Sequence, residues 1–554
     1  YWWYKKALLS LQNPFFTDYI FYPEGVNLAF QSGTFGNFLM TLPVTLLAGP
    51  VAGVNVSYLL TYIIAAWFTC LLTYRITGDL FAALTAAVLY SFSFMHTGHS
   101  VGHLNISSIH CLPAVLYALY RTFAERSWGW AVVTGIFCGM TILTDQMQTI
   151  LVAAACAAAC SWCLGNRRLL AMSIRGIITR FALIAAIGLA VASPYLFAMI
   201  RFMHKGGAPL NQGIFDRGGA NVFAADLLGF VMHPAGYGIF AKQFHALFPG
   251  FGNPQPFLGV TVMVLLIWQA VTGRGGTVVR WLWASAGITF ILSLGPTLHI
   301  GGRWQWRDDG AFIKLPYYYI AKLPLFAQIR TPDRFHIATS FAIALLVAFA
   351  VLSLRRKLAD RISPKACAIV SVVLLLLLVA EYLPPAGVVH RLPDSVVLKK
   401  IGSEANNAPL LWLPLSRSSS FARNGMESSV KAMYYQTIHD KPILNGMLSR
   451  VGSEQLEFNN PLLDMLVEAG NLDRQRAVGE TPTFAPEELS RICSDATLKR
   501  PLWTELRHVY GFRHIVVQRP FNQPGWATNK YIECLTGQPL IEEPQGGISY
   551  INLL

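Results

Sequence analysis

Ten apolar stretches, most with no charge in their interior, lie between Val54 and Tyr382, and arginine recurs only in alternate short loops between them. A hydrocarbon core about 30 Å thick needs roughly 20 apolar residues per crossing, fewer where aromatic residues cap the ends. Backbone inside lipid must satisfy its own hydrogen bonds, so segments of this kind are helices. The sequence therefore predicts an all-α polytopic membrane domain over 54–384, with transmembrane helices at 54–74, 79–95, 106–121, 129–145, 148–165, 177–200, 256–272, 281–296, 336–354 and 366–384. Hydrophobic residues make up 54% of the 554 and charged residues only 13%, which excludes an ordinary soluble globule.

Basic residues give the expected orientation. Arg75, then Arg121 and Arg126, then Arg167, Arg168, Arg175 and Arg180 occupy alternate loops, followed by Arg274 and Arg280 and by the run Arg355, Arg356, Lys357, Arg361 and Lys365. The short loops between them, 96–105 and 146–147, hold no lysine or arginine. The positive-inside rule places the arginine loops in the cytoplasm, and the long loops 201–255 and 297–335 are of the kind that obey it poorly. Parity then puts 1–53 outside as a first extracytoplasmic loop with interfacial helices, and 385–554 outside as well. Residues 35–48 are apolar but short and broken by Pro43, so they read as an interfacial or re-entrant helix. After Pro384 the composition becomes that of a soluble domain. There 410–415, 515–518 and 548–553 read as strands and 484–507 as a helix, predicting a C-terminal α/β domain large enough to bury its own core.

Tyr1-Trp2-Trp3-Tyr4 looks like an interfacial aromatic belt without its helix, so a further upstream helix is expected. The net charge of +14 lies largely in the short loops, and no basic-aromatic stripe accompanies it, so nucleic acid is not an expected partner. Seven of the nine cysteines lie in or beside apolar helices, where a thiol acts as a small hydrophobe. Cys493 and Cys534 lie in the polar tail and can pair if that tail is extracytoplasmic.

Polar residues in such a chain are expensive, and here they gather on the outer side. Asp18 and Glu24 are the only carboxylates of the first loop. Asp18 reads either as a turn or cap after Pro14 or as a catalytic group, and Glu24 most simply as part of a turn. His96, His99 and His103 share one face if helical, a spacing suited to a metal or phosphate, whereas Gly98 and Gly102 favour a loop of interfacial histidines. Asp145, with Gln146 and Gln148, joins two apolar helices at the outer edge, more polarity than a tight turn needs. Asp226 and His233-Pro234 in the long outer loop read as cap or turn residues. Arg330 and Arg334 open a long apolar helix, where two guanidiniums and free amides suit a phosphate; the alternative is snorkelling to headgroups or pairing with Asp333.

The order of these parts resembles the bacterial polytopic glycosyltransferases of the GT-C superfamily, which include protein mannosyltransferases and the aminoarabinose transferase of lipid A. The resemblance runs from Asn13-Pro14-Phe15 and Tyr22-Pro23-Glu24-Gly25, through Arg75-Ile76-Thr77-Gly78, the outer His/Asn loop and 135–145, to the 330–334 element and the soluble tail. It implies an inverting sugar transfer at the outer face of a bacterial cytoplasmic membrane, from a polyprenyl-phosphate-linked sugar to an envelope glycan, lipid or protein. In these families a carboxylate of the first outer loop is the general base. Carried over, Asp18 is the available base, and Asp145 serves catalysis or acceptor positioning. Arg330 and Arg334 would hold the lipid phosphate, while His96, His99, His103 and Glu24 would position acceptor or metal. The family's base often lies close after the first transmembrane helix, so an upstream base is a further expectation. Some relatives use a divalent metal and others none, so no cofactor is fixed.

Two other readings compete. A flippase of a lipid-linked glycan calls for intramembrane charges and paired repeats, and neither is visible. A non-catalytic scaffold would use the tail, where the polar and aromatic stretch from Met433 to Pro442 suits a carbohydrate or, as is more common, packs as a loop on the membrane body. No phosphate-binding loop, dinucleotide fingerprint, zinc-protease motif or nucleophile elbow is present to support a soluble-enzyme reading.

Overall fold

Glycine lets two apolar helices touch. In Trp128–Thr144, a Cβ on Gly135 would lie 2.9 Å from the Ile184 carbonyl oxygen, and one on Gly139 would lie 2.8 Å from that of Gly188. Both partners belong to Ile174–His204. Small residues spaced four apart permit such backbone approach in lipid, where no hydrophobic force drives helices together. The pairing fixes the C-terminal end of Trp128–Thr144, immediately before Asp145.

The structure is a computed structural model that describes residues 1–168, 170–204, 213–216, 219–232, 246, 256–273, 276–306, 310–323, 326–382, 393–419, 425–449, 451, 453–458, 460–477, 504, 508–519, 526–543 and 547–553. All ten apolar stretches are helical over most of their length. Six helical spans are long and apolar enough to cross a membrane: Pro50–Thr77, Leu80–His99, Gln146–Gly165, Ile174–His204, Pro332–Ala359 and Pro364–Tyr382. Trp128–Thr144 and Val260–Thr272 are shorter apolar helices. Cys111–Ala124 and Gly276–Ser293 complete the ten. The shortfall from ten has physical causes. Val260–Thr272 stops at Gly273, which takes the left-handed conformation, and the 14 residues of Cys111–Ala124 reach only about 21 Å. Residues 35–48 form two short helices, Phe35–Met40 and Leu42–Ala48, before the long helix begins at Pro50.

Burial ranks the helices. Pro332–Ala359 and Leu80–His99 are 78% and 72% buried, against 22% for Pro364–Tyr382, so the first two form the centre of the bundle. The arginine-bearing loops gather on one side: Arg355 pairs with Asp79 at 3.2 Å, and Arg180 donates to the Arg126 carbonyl at 2.7 Å. The polar loops gather on the other. There Asn37 donates to Ser108 at 2.7 Å, Tyr62 meets Ser100 at 2.7 Å, and the Asp333 amide donates to the Phe223 carbonyl at 3.2 Å.

In the tail, Leu410–Leu413 pairs parallel with His514–Gln518, which pairs antiparallel with Ile548–Asn552, and that strand pairs antiparallel with Ile541–Glu543. Strand alternation sorts the core onto two faces. Leu411, Leu413, Ile515 and Val517 meet Leu463, Leu466, Tyr531 and Ile532. Leu410, Trp412 and Val516 meet Leu398, Ile401 and Tyr435, and with them Ile20, Phe21 and Val26 of the first loop. The first loop and the tail, separate in the sequence reading, thus share one core. Backbone bonds fasten them: Ile443 N–H to Tyr19 at 2.9 Å, Phe21 N–H to Asn445 at 3.2 Å and Tyr22 N–H to Ile443 at 3.2 Å. Arg417, with a side chain only 4% exposed, donates to the carbonyls of Tyr22, Leu444, Gln455 and Glu457 and to the Glu24 carboxylate at 2.8 Å. Cys534 is disulfide-bonded. Cys493, most of the helix expected at 484–507 and His233-Pro234 lie outside the described residues.

His439 ties this joint to pH. It is fully buried, stacks on Trp412 at 6.2 Å and accepts the Lys441 N–H at 3.1 Å, holding the turn that leads into Ile443. Burial, then the charge on Lys441, pushes its pKa down to about 3. In the unfolded chain the imidazole returns to about 6.5, so below that pH the unfolded state binds a proton the folded state refuses. The stability His439 contributes is complete above about pH 6.5 and is lost as pH falls toward 3, at up to about 1.4 kcal/mol per unit. Thermal unfolding of the tail followed by near-UV dichroism across that range is expected to show the slope, and His439→Gln to flatten it.

Candidate functional site

Asp145 follows the Trp128–Thr144 helix and caps the next. Its Oδ1 accepts the N–H groups of Met147 at 2.8 Å and Gln148 at 3.1 Å, the usual way a carboxylate satisfies orphan amides at a helix start. Its Oδ2 accepts the Asn105 side-chain N–H, at 3.1 Å. A carboxylate oxygen has room for a second donor, so capping and chemistry are compatible on this group.

Arg330 and Arg334 flank the start of the central helix. Pro332 stands in its first turn, where a missing N–H costs nothing, and Pro332–Phe335 runs directly into His336–Ala359. The strand of chain before it is fixed by Tyr317, whose hydroxyl donates to the Ile329 carbonyl at 2.7 Å. The Arg330 guanidinium lies 5.3 Å from the Phe223 ring. Among the described residues no carboxylate forms an ion pair with Arg334. Arg334 lies in the first turn of this helix and Arg330 just before it, and both are half-buried.

Asp145, Arg330 and Arg334 line one cavity of about 380 Å³. Residues 28 and 30–35 of the first loop, Tyr195 of Ile174–His204 and Ser449 of the tail complete its wall. It lies where the helical body, the first loop and the tail meet. These three are the only charged residues lining it among those described.

Other expected site residues lie elsewhere. Asp18 sits on an exposed bend outside this cavity. Glu24 is turned to Arg417 and lines a different cleft, against Arg201 and Gln455. His96 and His99 end the short helix Phe94–His99. His96 is fully buried, bonded to Thr61 at 2.9 Å and to the Ser91 carbonyl at 2.7 Å, and stacked on Tyr62 at 3.7 Å, so it serves packing. The rings of His99 and His103 stand edge to face at 5.6 Å. Desolvation, then the nearby Arg334 charge, holds the His103 pKa below the ordinary imidazole range, so the ring faces the cation neutral. Among the described residues no three His, Cys, Asp or Glu side chains are grouped as a metal ion requires. Asp226, read as a cap, accepts Leu228 N–H at 2.9 Å and also the N–H groups of Gly301 and Gly302. Sequence reasoning missed Asn105, Tyr195 and the tight contact of Gly33 with Tyr4. Asn105 was visible only as the polar neighbour of the histidine loop.

A family profile described as Domain of unknown function (DUF6311) matches residues 4–381. The chain belongs to that family. No curated protein matches it. Several solved structures are similar to this DUF6311 chain. The oligosaccharyltransferase AglB from Archaeoglobus fulgidus, in complex with an inhibitory peptide and a dolichol-phosphate, shares 11% identity at a TM-score of 0.43, over 100% of this chain and 70% of that one. The Archaeoglobus fulgidus oligosaccharyltransferase in complex with Zn and sulfate shares 12% at 0.40, over 100% and 69%. ArnT from Cupriavidus metallidurans, bound to undecaprenyl phosphate, shares 11% at 0.39, over 94% and 87%.

In this DUF6311 chain Gly33 and Tyr4 both line the cavity and touch. A Cβ on Gly33 would lie 1.8 Å from the Tyr4 hydroxyl oxygen but 3.1 Å from its ring carbon. Gly33→Ala is expected to destabilise the chain by about 1–3 kcal/mol through overpacking. Adding Tyr4→Phe removes the offending oxygen and is expected to restore most of that loss. Thermal unfolding of the single and double variants tests the contact.

Proposed function

We propose that this chain transfers a sugar from a polyprenyl-phosphate-linked donor to a hydroxyl acceptor at the outer face of a bacterial cytoplasmic membrane. The observation that carries the reading is the convergence of Asp145, Arg330 and Arg334 on one cavity at the edge of an apolar helical body. Two guanidiniums beside a single carboxylate leave the site net positive, suited to a lipid phosphate. Arg334 also lies in the first turn of a long helix, whose free amides and dipole favour an anion. On this reading all ten helical stretches cross the membrane in the orientation given by the arginine loops, with the first loop and the tail outside.

The proposed reaction is a single displacement. The acceptor hydroxyl oxygen attacks the anomeric carbon as its bond to the phosphate oxygen breaks, and the electron pair leaves with the polyprenyl phosphate. The hydroxyl proton passes to Asp145. Arg330 and Arg334 stabilise the charge that grows on the departing phosphate. Asp145 is the one carboxylate lining the cavity among the described residues, and a displacement with no second carboxylate as nucleophile inverts the anomeric centre. Asp18, outside the cavity, takes no part in this scheme.

Asparagine caps helices as well as aspartate does, so Asp145→Asn removes the base while keeping the fold. It is expected to lower transfer to a surface glycan about a hundredfold or more, with thermal stability retained. The double variant Arg330→Gln/Arg334→Gln is expected to weaken undecaprenyl phosphate binding about tenfold or more, and Asp18→Asn to keep full activity. Full transfer by Asp145→Asn would remove it as the base, and unchanged lipid binding by the double arginine variant would remove the donor site.

A further inference from the structure

A second cleft of about 370 Å³ lies between the first loop and the tail. It adjoins the charged cavity, because Tyr4, Leu28, 31–33 and Ser449 line both. Its chemistry is different. Among the described residues none of the side chains lining it carries a charge; its walls offer the rings of Trp2, Trp3 and Tyr19 and serine and threonine hydroxyls, while the Gln436 amide donates to the carbonyls of Tyr19 and Lys441. Lys6, close by, lies 4.6 Å over the Tyr19 ring and is paired with Asp440 at 2.7 Å.

We infer that this cleft is the acceptor subsite and that the acceptor is a neutral carbohydrate. The inference rests on the transferase function proposed above. A transferase needs two subsites that meet at the reacting bond, and the shared wall at 31–33 supplies that meeting point. Flat aromatic faces cover the C–H face of a sugar ring, while hydroxyls bond its edge. A phosphorylated or uronic-acid acceptor would enter this cleft with no cation to offset its desolvation, and a basic peptide with no carboxylate. The tail takes part directly, since Met433, Gln436 and Thr437 lie on one side of the helix Met426–His439 and line the cleft.

The test uses the full chain in detergent and four probes, with thermophoresis as readout: chitohexaose and mannohexaose as neutral glycans, hexagalacturonate as an acidic one, and a serine-rich hexapeptide. Undecaprenyl phosphate is titrated in parallel. Saturable binding of at least one neutral glycan is expected, in preference to the uronate and the peptide. Thr437→Trp, which fills the cleft from the tail, and Trp2→Ala, which removes one wall, are each expected to weaken that binding about tenfold. Undecaprenyl phosphate affinity is expected to stay unchanged in both, which also shows that the variants are folded. Preference for the uronate or the peptide, or neutral-glycan binding indifferent to both variants, would overturn the inference. So would undecaprenyl phosphate binding with no neutral glycan bound, an outcome that leaves the proposed function standing. Loss of undecaprenyl phosphate binding in the unaltered chain would instead overturn that function, and the acceptor subsite with it.

Discussion

Arg417 is the group on which the outer half of the protein depends. Its buried guanidinium reaches the first loop at Tyr22 and Glu24 and the tail at Leu444, Gln455 and Glu457. A guanidinium without partners would be costly to bury, and here its donors are answered from segments that lie some four hundred residues apart in sequence. The same contact supplies donors to backbone carbonyls on both sides, so each segment is held by a group it shares with the other. Without that joint, Ile20, Phe21 and Val26 would leave the core of the tail. Gln31–Gly33 and Ser449, which line the cavity from the two segments, would then lose what holds them together.

Much of the helical body is written plainly in the sequence, because lipid imposes a rule that hydropathy reports directly. All ten stretches formed helices, and the loops expected on one side do meet one another through Asp79, Arg355, Arg126 and Arg180. What hydropathy does not report is length where a glycine ends a helix early, as at Gly273. The three tail strands appear within a residue or two of where β-branched and aliphatic runs placed them, and Ile541–Glu543 was missed because two of its three residues are acidic. The union of first loop and tail was illegible for a different reason. A loop segment has no period, so nothing in 19–26 announces which of its apolar residues turn inward, or against what.

The site was legible in part. Asp145, Arg330 and Arg334 stood out because each is a charge at the end of an apolar run, and the structure brings the three together. Asp18 and Glu24 stood out for a weaker reason, as the only carboxylates of their loop, and the structure sends them elsewhere. The histidines looked like a ligand set by spacing alone. Spacing does not report burial, and His96 proves to be spent on Thr61 and Ser91.

Charge is divided sharply between the two adjoining hollows, and the division follows from what each wall is made of. The charged cavity is built from helix ends, where backbone amides, an N-cap and a first-turn arginine can all be oriented by rigid elements. The neutral cleft is built from the first loop and one face of a tail helix, where aromatic rings and amides fill the surface instead. A carboxylate that caps a helix cannot wander, because leaving its place would strand the amides of Met147 and Gln148. Capping therefore fixes Oδ2, steadied by Asn105, at a constant position relative to the arginines of the central helix. Electrostatic stabilisation of a developing charge depends on groups that do not have to reorganise as the charge appears. Helix ends meet that condition better than loops do, which is a physical reason for placing Asp145 rather than Asp18 at the chemistry.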